Sequence, residues 1–168
     1  MLYRLFSFLN FWVTATNQHG VHSPFVYRFV TKCLYSQPIF ANNKSLDTLL
    51  KTIVYFKKNS IQLVTNDADL PKAIKKNVRD IELCSPSGEM LYLEKLDNET
   101  IRHFIIENNA LNNNSVIYVH KLYKNKATYN HWKNIKELEN VRVTIDMFYG
   151  GLVFFRREQV KEHFKIRI

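Results

Sequence analysis

The chain has 168 residues, 46% of them hydrophobic and 23% charged, which is enough apolar material for one packed domain and excludes global disorder. With 4 Gly and 4 Pro, collagen-like and linker-like classes are also excluded. The net charge of +9 draws a protein toward polyanions, but the basic residues are dispersed (Lys57 and Lys58, Lys75 and Lys76, Lys121 to Lys126, Arg156 and Arg157), so a solvated surface is favoured over nucleic acid as their role.

Residues 2–15 read as an amphipathic helix, with Leu2, Leu5, Phe6, Leu9, Trp12 and Val13 at helical spacing and Phe8 and Phe11 widening the face. Ser7 and Asn10 interrupt the run and no small-x-small site follows, so it does not read as a signal peptide. His19-Gly20-Val21-His22-Ser23-Pro24-Phe25-Val26 comes next. Ser23 and Pro24 suit the cap and first position of a helix running to about Tyr35, and Gly20 is expected to supply a positive φ for the bend before it. His19 and His22 lack a third ligand nearby, so no metal site is expected.

After a loop, Ser45 is expected to cap a third helix carrying Leu46, Leu49, Leu50, Ile53 and Val54 on one face. Strands are predicted at Ile61–Thr65, Asp80–Cys84, Met90–Glu94 and Ser115–His120, with helices over Leu70–Asn77, Glu99–Leu111 and Lys126–Glu139 between and after them. This alternation argues for a parallel sheet covered on both faces. Val141, Val143, Ile145 and Met147 then alternate strictly, Gly150-Gly151 reads as a turn, and Leu152–Phe155 begins a return strand. His163–Ile168 alternates once more, with Phe164, Ile166 and Ile168 on one face.

Cys33 and Cys84 stand far apart in no C-x-x-C pattern, which argues for a reducing, cytoplasmic setting and against a disulfide framework. Cys84 lies beside Ser85-Pro86-Ser87-Gly88, a predicted turn. No apolar run approaches the roughly 20 residues of a membrane span. The sequence carries no G-x-S-x-G, P-loop or H-E-x-x-H pattern.

The His19–Val26 stretch and the last third of the chain (Trp132, Val143-Thr144-Ile145-Asp146-Met147-Phe148, Gly151-Leu152-Val153-Phe154-Phe155-Arg156 and Lys161-Glu162-His163-Phe164-Lys165-Ile166-Arg167) resemble bacterial class I S-adenosylmethionine-dependent methyltransferases that carry an N-terminal helical extension. The resemblance implies an α/β, Rossmann-like methyltransferase sheet, mostly parallel with an antiparallel C-terminal strand pair, preceded by N-terminal helices. It divides the chain into a helical extension, residues 1–45, and a methyltransferase-like domain, residues 46–168. It also implies methyl transfer from S-adenosylmethionine.

The middle of the chain departs from that family. Its first strand is followed by Asn66-Asp67-Ala68-Asp69, where the family places a glycine-rich turn because the cofactor approaches the backbone too closely for side chains. Where an acidic pair is expected after a later strand, this chain has His120 and Lys121. The sixty residues from Ile61 to His120 have room for three strand-and-helix steps, since βαβ units of roughly thirty residues share strands with their neighbours, about one unit short of the family's sheet. The expectation is a shortened relative whose cofactor binding is impaired or lost. By position, Asn66, Asp67 and His120 are the candidate cofactor-binding residues; no catalytic residue is assigned. The apolar stripe of the first helix predicts a homodimer through the N-terminal helices.

Overall fold

A computed structural model describes residues 2–84 and 88–168. The helix α1 spans Leu2–Thr14, α2 spans Pro24–Phe29 and runs into a π turn at Val30–Leu34, and α3 spans Lys44–Tyr55. Then follow β1 (Ser60–Val64), α4 (Leu70–Asn77), β2 (Glu82–Cys84), β3 (Met90–Leu93), α5 (Asn98–Ile101), β4 (Val116–His120) and α6 (Lys126–Glu137). The chain closes with β5 (Val143–Asp146), β6 (Gly150–Phe154) and β7 (Glu162–Lys165).

The strands form one seven-stranded sheet in the order β2-β1-β3-β4-β6-β5-β7. The first four are mutually parallel, β6 runs antiparallel between β4 and β5, and β7 returns parallel to β5. Side chains of a strand alternate between faces, and each face here carries its own core. Met90, Tyr92, Val116, Tyr118, Leu152 and Phe154 pack with Val26, Phe29, Leu49, Ile53 and Ile74 from α2, α3 and α4. Leu91, Leu93, Ile117, Val119 and Val153 pack with Phe11, Ile101, Trp132 and Ile135 from α1, α5 and α6. Burial on both faces explains the unbroken apolar runs of β3 and β4, which period-two polarity alone would not give. Residues 1–45 contribute to both cores, and Thr16 bridges Ile166 beside β7.

Several expectations are corrected by the packing. Asn43, not Ser45, caps α3: its side chain accepts the N–H groups of Ser45 at 2.9 Å and Leu46 at 3.2 Å, because the helix starts one residue before Ser45 and turns that serine into the core. Val54 lies on the solvent side of α3. The helix predicted over Glu99–Leu111 is α only to Ile101 and a π turn from Arg102 to Ile106. Gly20 has no positive φ; its lack of a side chain instead lets the Thr16 side chain pass, since a Cβ would lie 1.9 Å from Thr16 Oγ1.

Gly150 and Gly151 are not the turn either. They lie within β6, and the turn is made by residues 147–149 with Phe148 at φ 67°. The glycines serve close approach: a Cβ on Gly150 would meet the Tyr118 ring, and one on Gly151 would come 2.7 Å from both Leu122 and Trp132. In α1 the contacting face is rotated from the expected stripe. Phe8 and Phe11 pack on Phe148, and Phe11 also on Tyr123, while Leu2, Leu5, Phe6, Leu9, Trp12 and Val13 remain exposed. The Ser23 cap forms as read, with Val26 N–H donating to its hydroxyl at 3.4 Å. The predicted turn at Ser85-Pro86-Ser87 lies outside the described residues.

Candidate functional site at the carboxyl ends of the strands

In an open parallel sheet, ligands bind beyond the carboxyl ends of the strands, where the strand order reverses. Here the chain steps outward from β1 to β2 and then back across to β3, so the reversal lies between β1 and β3. The residues that leave those strands are Thr65-Asn66-Asp67 and Glu94, and those leaving β4 are Lys121 and Leu122. Asn66, Asp67 and His120, the three positions singled out in the sequence, gather at this edge. Two clefts of about 270 and 250 Å³ meet there and share Glu94, His120 and Lys121 as lining. Asp67 and Ser45 line the first, and Arg4, Tyr123 and Lys124 the second.

The reversal point is bridged by the protein's own acid. Glu94 Oε2 accepts the Thr65 hydroxyl at 2.5 Å and the Asn66 backbone N–H at 2.9 Å. These donors, followed by His120 and Lys121 nearby, hold the Glu94 carboxyl below its usual range, so it stays ionised. The Asn66 N–H is therefore already satisfied within the chain. Glu94 escaped the sequence reading because it closes an ordinary strand pattern. Its signal was positional: an acid at the carboxyl end of a strand flanking the reversal point.

His120 sits in a short polar chain. Tyr118 Oη donates to the Ser45 carbonyl at 3.0 Å, Ser45 Oγ lies 2.9 Å from Tyr118 Oη, and His120 Nδ1 lies 2.8 Å from Ser45 Oγ. All three bonds are satisfied together only if Ser45 donates to Tyr118 and His120 Nδ1–H donates to Ser45. That order places the ring proton on Nδ1 and leaves Nε2 as an acceptor. Burial, with Lys121 beside it, pushes the imidazole pKa down to about 4, so His120 is neutral near pH 7. Ser45 is buried and bonded through its oxygen, an arrangement that orients the imidazole rather than exposing a nucleophile.

A second polar pair underlies the edge. Asp146, at the end of β5, is fully buried. It accepts the Tyr123 hydroxyl at 2.6 Å and the Phe148 N–H at 3.0 Å. Burial raises the pKa of both Asp146 and Tyr123. The Asp146–Phe148 bond holds the turn at its positive φ, and Tyr123 stacks on Phe148 at 4.8 Å; together they seat α1. Lys121 also adopts a positive φ of 47°, its N–H donating to the Tyr149 carbonyl. No group of three or more potential metal ligands occurs among the described residues.

No family model, curated protein or solved structure matches the chain.

Proposed function

We propose that the protein is a methyltransferase-like chain that does not bind S-adenosylmethionine and acts as a non-catalytic, homodimeric interaction module. The observation that carries this reading is the Glu94 bridge across the strand-order reversal. The residues there do not fit the cofactor: the loop after β1 carries side chains at Asn66, Asp67 and Asp69 where its backbone must be approached, and the backbone donor of Asn66 is taken. The placing of β6 between β4 and β5, antiparallel to both, supports the methyltransferase-like frame. Among the described residues only β2, three residues long, lies beyond β1, which fits a shortened cofactor half. Calorimetric titration with S-adenosylmethionine tests it. We expect no saturable heat; a dissociation constant of about micromolar or tighter, near −8 kcal/mol, overturns the reading.

The partner half of the proposal rests on α1. Leu2, Leu5, Phe6, Leu9, Trp12 and Val13 form an exposed apolar stripe, and such side chains gain roughly 1.5–3 kcal/mol each on full burial. A second copy of α1 offers the matching stripe. Light scattering should give a dimer for the parent and a monomer for the Leu5→Lys, Leu9→Lys double variant. A parent that is monomeric at high concentration removes the dimer from the proposal.

A further inference from the structure

The opposite edge of the sheet carries a site of a different kind. A cavity of about 410 Å³ opens at the amino ends of β1, β3 and β4. The half-buried Phe56 supplies its apolar wall, packed on the buried Phe154 ring at 5.5 Å, and three cations, Lys57, Lys58 and Arg156, line it. Glu89 is the single acid on that lining among the described residues, and its carboxylate accepts the Asn59 backbone N–H at 2.9 Å. Lys58 Nζ donates to the Asn114 carbonyl at 2.6 Å, and its partial burial lowers the ammonium pKa. Arg156 lies over the Phe25 ring and pairs through Nη2 with Glu158 at 2.6 Å. Its Nε is buried with no hydrogen-bond partner among the described residues.

Lys57 adds a separate observation. It occupies the position just past the end of α3, at φ 50°. Lys58 N–H donates to the Ile53 carbonyl and Lys57 N–H to the Val54 carbonyl, the bonds of a helix stop that favours glycine. A lysine there is disfavoured relative to glycine. The same site therefore carries a backbone strain and a cation at the cavity wall.

From this cavity we infer a binding site for a phosphate monoester carried on a flat apolar body. Three cations line the cavity against Glu89, whose carboxylate holds Asn59, and Glu158, which pairs with Arg156; the remaining positive excess favours an anion, and a dianion gains more from it than a singly charged phosphodiester. The aromatic wall beside them matches an aryl or base-like body. The inference is independent of the cofactor reading, since it concerns the other edge and a different ligand.

The test is titration of the full chain with phenyl phosphate, with phenol, inorganic phosphate and a ten-residue oligothymidylate as companions. Phenyl phosphate should saturate one site per chain and bind at least ten-fold more tightly than phenol. Lys57→Gly relieves the backbone strain, so it should melt at or above the parent temperature yet bind phenyl phosphate at least five-fold more weakly. Arg156→Gln should weaken binding at least ten-fold. Absence of saturable binding at millimolar phenyl phosphate overturns the inference. So does binding that Lys57→Gly leaves unchanged, or an oligothymidylate that binds more tightly than phenyl phosphate and loses affinity in the same variants, which would make the cavity a strand-binding surface.

Discussion

At the carboxyl ends of β1, β3 and β4, the strand-end groups Thr65, Glu94, Ser45, Tyr118 and His120 are satisfied by one another beside a cleft that Arg4, Lys121 and Lys124 also line; at the amino ends of the same strands, Lys57, Lys58 and Arg156 line a cavity. Glu94 holds Thr65 and Asn66, and Ser45 joins Tyr118 to His120. Across the sheet, Lys57, Lys58 and Arg156 line a pocket with Glu89, whose carboxylate holds Asn59, while Arg156 pairs with Glu158 and Lys58 donates to the Asn114 carbonyl. The difference teaches that a fold's customary binding edge is not where ligand chemistry must lie. A polar group already paired within the chain charges a ligand for the exchange of partners, whereas excess like charge around a cavity favours an incoming ion of opposite sign.

The largest expected effect concerns the floor of the carboxyl edge. Gly150→Ala drives a Cβ to within 2.2 Å of the Tyr118 hydroxyl, inside a fully buried ring environment. Urea unfolding should show a loss of about 2–3 kcal/mol. Adding Tyr118→Phe, which removes the nearest atom, should recover part of it. A Gly150→Ala chain as stable as the parent would mean that the glycine is not there for close approach.

The histidine of that edge should be visible in pH. His120 titrates near 4 in the folded chain and near 6.5 when unfolded. The unfolded state therefore binds the extra proton between those values, and stability falls as pH drops from about 6.5 to about 4. After allowance for solvent screening the loss is about 1–2 kcal/mol. The His120→Asn variant should lack that part of the slope. His163, also held down by burial, keeps its share in both proteins, and Asp146, held up by burial, opposes it in both, so the difference between the two curves reports His120 together with its coupling to Glu94.

Glu94→Ala removes an acceptor from Thr65 and Asn66 and should cost about 1 kcal/mol by thermal or urea unfolding. A larger loss would make Glu94 a structural keystone; no loss would make the bridge incidental. The smallest effect is of opposite sign and lies at the other edge: Lys57→Gly should stabilise the chain by about 0.5–1 kcal/mol through relief of the positive φ.

The sequence was most legible where periodicity and burial coincide. The strands and helices around Ile61–Thr65, Met90–Glu94, Ser115–His120 and Lys126–Glu139 were found because both cores are built on alternating or helical spacing. Contact partners were less legible. The α1 stripe was read from spacing, but spacing does not say that Phe8 and Phe11 meet Phe148 while Leu5 and Leu9 meet solvent. Gly150-Gly151 resembled a turn because glycine signals both φ freedom and absence of bulk, and only the Tyr118 and Trp132 rings distinguish the two. Ser45 looked like a cap because Asn43 stands two residues earlier with the same chemistry. At the site, Asn66, Asp67 and His120 were reachable by position, whereas Glu94 and Tyr118 depend on which strands become neighbours.

The comparison between edges is tested most directly by amide chemical-shift mapping of one isotopically labelled sample, titrated first with S-adenosylmethionine and then with phenyl phosphate. The account predicts no saturable shifts at Thr65, Asn66, Asp67, Glu94 or His120 with the first ligand. With the second it predicts saturable shifts clustered at Lys57, Lys58, Ser115 and Arg156. Saturable S-adenosylmethionine shifts at Asn66 and Glu94, together with an unresponsive Lys57–Lys58 segment in phenyl phosphate, would contradict it.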